Sequence, residues 1–201
     1  MGCRPPADLP TSKAVILLHE IYGINNHIHR EHKIWEQKGF DVYVPELFPH
    51  ATPYEYSQQE VAYRHFIDNT GFDTAKVTSL ISELRGRYTT LLLVGYSVGA
   101  TLAWLAARSG KCDGIICYYG SRIREYMDIA PSCPALILIA RHEKSFNTRV
   151  MEQYLQKLPN VHCAMFDACH GFCDADSPSF NSDIADEASE KVDLFIEHYA
   201  F

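Results

Sequence analysis

Ser97 stands between two glycines in Gly95-Tyr96-Ser97-Val98-Gly99, directly after the apolar run Leu91-Leu92-Leu93-Val94 and directly before a helical pattern. A hydroxyl in that setting suits one chemistry above others, attack on a carbonyl carbon. The turn from strand to helix strains the serine backbone, and the two elements approach so closely that small flanks are needed. Gly95 and Gly99 supply them. Oγ then lies at a helix N-terminus, where unpaired amides and the dipole favour a developing oxyanion. A serine also needs a base. Of ten histidines, His142, His162 and His170 lie after Ser97 and before the last helical stretch. His142 is expected just past a strand end, and His162 opens a strand. His170, in Cys169-His170-Gly171-Phe172, falls on a glycine-flanked turn after the last strand and is the expected base. The orienting acid should follow the preceding strand, where Arg141-His142-Glu143-Lys144 offers Glu143 alone. A surface Glu143 paired with Lys144 or Arg141 is the bland alternative. Asp167 is the competing acid, with a poor reach from three residues before the histidine.

These groups need a scaffold that brings distant segments to one edge. Apolar strand-like runs occur at Ala14–Leu18, Phe40–Val44, Leu91–Val94, Ile115–Tyr119, Ala135–Ala140 and Val161–Phe166. Helical patterns lie between and around them, at residues 27–38, 55–68, 73–87, 98–109, 147–157 and 183–199. The alternation predicts an α/β fold with a mostly parallel sheet and helices on both faces. Without repeat, low-complexity tract or linker, residues 1–201 read as a single domain. The order nucleophile, acid, histidine is that of the α/β-hydrolase fold.

Composition narrows the partners. The 201 residues are 47% hydrophobic and 21% charged, with a formal net charge of -7. A dispersed acidic balance excludes a phosphate-binding stripe, so no nucleic-acid partner is expected. No apolar run approaches a membrane span. Seven cysteines, an odd count, follow a Met1–Pro10 stretch lacking a charged-then-apolar leader, which reads as reduced thiols in a cytoplasmic protein. Cys169-His170-x-x-Cys173, with Cys163 nearby, matches no common zinc spacing, so neither metal nor cofactor is expected. His27, His29 and His32 read as surface histidines. Tyr22, Tyr54, Tyr63 and Phe66 read either as the wall of an apolar pocket or as aromatic packing under a loop.

With these residues in place, the chain resembles the dienelactone hydrolase family over nearly its whole length. His19-Glu20-Ile21-Tyr22-Gly23, with Asn25 and His27 behind it, is similar to that family's oxyanion loop. Val44-Pro45-Glu46-Leu47-Phe48, Gly95–Gly99, Tyr118-Tyr119-Gly120 and His170-Gly171-Phe172 match its other motifs in order. The resemblance implies a minimal α/β-hydrolase core without a large cap. It implies an oxyanion hole from the backbone amides of Ile21 and Val98. Because His19-Glu20-Ile21 follows the first strand at the same sheet edge, the Glu20 carboxylate is expected near Ser97, at the entrance to the pocket.

The chain also departs from the family. Its best-known members carry cysteine as nucleophile and usually aspartate as the acid, where this chain has Ser97 and Glu143. Two family arginines that hold a substrate carboxylate align with Gln59 and Asp174. A serine esterase, lactonase or thioesterase for small neutral or apolar acyl groups is therefore expected, working as a monomer or homodimer. A silent binding protein that kept the pocket is the alternative.

Overall fold

The computed structural model describes residues 12–49, 52–144 and 146–201, so the Met1–Pro10 reading lies outside the described residues. Ala14 to Leu18 are fully buried because the strand they form is covered on both faces, as its unbroken apolar run requires. That strand is β1 (Lys13–Leu18), followed in chain order by β2 (Asp41–Tyr43), β3 (Thr90–Tyr96), β4 (Gly114–Tyr118), β5 (Ala135–His142) and β6 (Val161–Cys169). They form one six-stranded sheet ordered β2-β1-β3-β4-β5-β6, with every neighbouring pair parallel. All six strands therefore end at the same edge, where the connecting loops collect.

The helices are α1 (Asn26–Gln37), α2 (Gln59–Asn69), α3 (Ala75–Arg85), α4 (Val98–Ala106), α5 (Thr148–Leu155) and α6 (Ser182–Tyr199). Alternate strand residues serve opposite faces. Ile16, Leu18 and Leu93 pack with Phe66, Ile81, Trp104 and Leu155 of α2 to α5. Val15, Leu17 and Val94 pack with Trp35 and Phe195 of α1 and α6 on the other side. Each such aliphatic side chain contributes about 1.5–3 kcal/mol by leaving water. Helix ends follow local chemistry. The Asn25 side chain accepts from the Ile28 amide at 3.2 Å, and Gly39 (φ 86°) turns the chain after α1.

Two boundaries differ from expectation in ways that matter. β5 runs on to His142 through an irregularity between Ala140 and His142, and β6 runs on to Cys169, with His142 opposite Cys169. His142 is thus inside a strand, and His170 leaves the sheet at once. At the irregularity one residue of β5, Arg141, stands against two of β6, Asp167 and Ala168, and pairing resumes beyond the apolar run. Among the described residues, no helix is long and apolar enough to cross a membrane.

Candidate active site

Ser97 joins β3 to α4 with φ 55° and ψ -112°, a left-handed conformation rare for a residue with a side chain. Such strain costs about 1–3 kcal/mol and persists only where the surroundings enforce it. Here they do. A Cβ on Gly95 would meet the Gly99 carbonyl oxygen at 2.3 Å, and one on Gly99 would meet the Leu18 carbonyl oxygen at 2.1 Å. The glycines let β3, α4 and the end of β1 touch through bare backbone. The Ser97 amide donates to the Tyr118 carbonyl at 2.9 Å, which ties the turn to β4.

His170 and Glu143 complete a hydrogen-bonded chain. His170 Nε2 lies 2.9 Å from Ser97 Oγ, and His170 Nδ1 lies 2.6 Å from Glu143 Oε1. A carboxylate only accepts, so Nδ1 carries the proton and the Nε2 lone pair faces the hydroxyl. The Glu143 side chain is 10% exposed and that of His170 36%. Burial alone would lower the imidazole pKa, but the Glu143 hydrogen bond and charge, joined by the Glu20 charge, raise it above its ordinary value. Asp167 is exposed and faces elsewhere, binding His142 Nε2 at 2.9 Å and Arg141 at 3.2 Å.

The loop after β1 approaches from the other side. His19 is fully buried, its Nδ1 2.6 Å from the Glu20 carbonyl oxygen and its Nε2 accepting from the Leu47 amide at 3.0 Å. Burial lowers its pKa to about 4, so it clips the β1 and β2 exits together as a neutral ring. The Ile21 amide takes no part in this loop's turn bonds, which run from Gly23 to Glu20 and from Asn25 to Gly23. The Val98 amide opens α4 and has no carbonyl one turn back.

Glu20 is buried, 4% exposed, where an open position at an entrance is expected. Its carboxylate accepts from the Tyr119 hydroxyl at 3.3 Å, and the Tyr119 ring packs 5.0 Å from that of His170. Burial, reinforced by the Asp174 charge and opposed by His170 and Tyr119, raises the Glu20 pKa to about 7. In the sequence Tyr119 stands out only within Tyr118-Tyr119-Gly120. It is also held at φ 40°, a second strained residue beside Ser97.

The proposed pocket residues divide. Tyr22 is 9% exposed and its ring lies 4.5 Å from that of Tyr56. Burial, with the Glu20 and Asp174 charges, raises its pKa to about 12, which places it beside both acids. Tyr63 is half-buried, accepting from Arg122 at 2.7 Å beneath the same guanidinium. Phe66 lines no pocket: it is fully buried among Phe48 and Phe72, on the inward face of α2. Gln59 is exposed on the first turn of α2. His27 is buried, not a surface histidine, because α1 turns that face to the sheet. Asp174 is fully buried too, bound to Arg30 at 3.2 Å and to the Tyr56 hydroxyl. Among the described residues, no group of three or more His, Cys, Asp and Glu is arranged to hold a metal ion.

Comparison with known proteins bears on the fold and the family. The chain is 34% identical over 171 residues to the uncharacterized protein YczH of Bacillus subtilis (strain 168), covering 83% of this chain and 84% of that one. It superposes on a candidate dienelactone hydrolase from Klebsiella pneumoniae subsp. pneumoniae MGH 78578 with a TM-score of 0.77 at 18% identity, covering 97% of this chain and 90% of the other. Thermogutta terrifontis esterase 2 superposes with a TM-score of 0.62 at 14% identity, over 96% and 86% of the two chains. The pattern of the dienelactone hydrolase family matches residues 3–200, and the chain belongs to that family of α/β-fold hydrolases acting on ester bonds.

Proposed function

We propose that the protein cleaves small neutral carboxylic esters, lactones or thioesters through an acyl-enzyme on Ser97. The unbroken chain from Ser97 Oγ through His170 to Glu143, at 2.9 and 2.6 Å, carries this reading. In it, His170 removes the hydroxyl proton as Oγ attacks and returns it to the leaving alcohol or thiol. Water then repeats the cycle on the acyl-enzyme. The amides of Ile21 and Val98 hold the oxyanion. The nucleophile must be a serine activated during attack, since a hydroxyl is not stored as an anion near neutral pH.

Charge supports a neutral substrate. Arg30 is engaged by Asp174 and Asp176, Arg141 by Asp167, and Arg122 by Glu125 and Tyr63. Glu20 and Asp174 meanwhile bring negative charge toward the site. A fluorophosphonate probe should label Ser97 in the wild-type protein and not in Ser97→Ala. Among p-nitrophenyl esters, a neutral acyl group should exceed its carboxylate-bearing analogue by about tenfold or more in kcat/KM, since 1.4 kcal/mol is already a decade. Absent labelling and turnover would overturn the activity. Equal turnover of the anionic ester would overturn the substrate class.

A further inference from the structure

Asp174 follows His170 by four residues and has no exposed surface. A buried carboxylate is costly unless it is paired and hydrogen-bonded, and this one draws partners from three segments. From α1, Arg30 Nη2 lies 3.2 Å from Oδ1 and His27 Nδ1 lies 3.7 Å from the same oxygen. From the segment before α2, the Tyr56 hydroxyl donates to Oδ2. From its own loop, the Asp176 amide donates to Oδ1 at 3.0 Å. The backbone closes around it, with the Asp174 amide donating to the Gly171 carbonyl at 3.1 Å and the Ser177 amide to the Asp174 carbonyl at 2.9 Å.

We propose that Asp174 is a positioning residue whose buried carboxylate holds the His170 loop in register with the loop after β1; this rests on the proposed role of Ser97 and His170. The His170 loop hangs from an edge strand and turns at Gly171 (φ 84°). Fully buried Phe172 seats it against Tyr119 and Phe166, and Asp174 adds ties to Arg30 of α1 and to Tyr56. Through Tyr56 it reaches Tyr22, the neighbour of the oxyanion donor Ile21. One carboxylate thus links the base-bearing loop to the oxyanion loop, the two parts that must be matched around a reacting carbonyl. His27, lowered to about 4 by burial, leaves Arg30 as the cation that balances Asp174 against the nearby Glu20 and Asp176.

The test uses the whole protein, Tyr56→Phe, Asp174→Asn, their double variant and Asp167→Asn as a control. p-Nitrophenyl acetate turnover and the rate of Ser97 labelling by a fluorophosphonate are measured for each. Tyr56→Phe should fold and lose roughly five- to twentyfold in kcat, and Asp174→Asn roughly tenfold to a hundredfold, with KM moving far less, because misplacement of reacting groups acts on the chemical step. Labelling should slow in parallel, the double variant should lose little beyond Asp174→Asn, and Asp167→Asn should match wild type. If Asp174→Asn does not fold, Tyr56→Phe decides alone. Folded variants with wild-type kcat and labelling overturn the positioning role while the proposed function stands. A wild-type protein that neither labels nor turns over ester overturns both.

Discussion

His19 and His170 both leave the sheet at its loop-bearing edge, one from β1 and one from β6, yet their surroundings make them opposite chemical objects. His19 is enclosed by backbone, a carbonyl on Nδ1 and an amide on Nε2, and burial keeps it neutral with a pKa of about 4. His170 meets side chains instead, a carboxylate and a hydroxyl, and its pKa is raised. Burial pushes both rings the same way; the carboxylate partner reverses the outcome at one of them. Glu20 acts on both, its carbonyl bound by His19 and the charge of its carboxylate bearing on His170.

The contrast breaks first at Glu143. Glu143→Gln keeps the shape but removes the charge, so His170 loses its main support against burial and takes the wrong tautomer. kcat should fall by about 10²–10⁴-fold, as expected for loss of a triad acid. The residual pH–rate profile, which rises as His170 loses its proton, should move to lower pH. A variant that keeps wild-type kcat and the same profile would remove Glu143 from the array.

A smaller effect lies at His19. Its folded pKa of about 4 is below the unfolded value of 6.5, so the unfolded chain takes up the proton first as pH falls. Stability is therefore lost between pH 6.5 and 4, by about 1.4 kcal/mol per unit for each such histidine. His27 acts in the same sense. Glu20, raised from 4.5 to about 7, acts in reverse and gains stability over that fall in pH. Urea unfolding of His19→Gln should give a stability slope between pH 5 and 6 shallower than wild type by about 1.4 kcal/mol per unit. An unchanged slope would mean that His19 is charged in the folded protein.

The smallest effect is at the shared residue. Glu20→Gln leaves the carbonyl that His19 binds but deletes a charge that supports the His170 cation. The acid limb of kcat/KM should move down by a few tenths of a pH unit, with kcat changing severalfold at most. No shift would limit Glu20 to its main-chain role.

The chemistry of the array is written locally, and this is why it was legible. Ser97, Glu143 and His170 each lie at a strand end, and parallel strands deliver their ends to one edge. The buried hub is not written locally. Asp174 is 144 residues from Arg30 and 118 from Tyr56, and nothing near position 174 marks an acid that will be enclosed. For Phe66 the residues alone leave pocket wall and aromatic packing equally open, and the structure shows packing. Ala62 and Phe66, four apart, form the inward stripe of α2, whereas Tyr63 falls beside it. The extra length of β5 is hidden in the sequence because Arg141 and His142 look like loop residues, while pairing resumes at His142 beyond the irregularity.

Strand order has a consequence for how this protein tires. Ser97 hangs from β3, which is flanked by β1 and β4, whereas His170 hangs from β6, which has a neighbour on one side only. Local opening begins where a segment has fewest partners. Warming is therefore expected to loosen the mooring of His170 while that of Ser97 is still intact, so that ester turnover should be lost before the sheet comes apart.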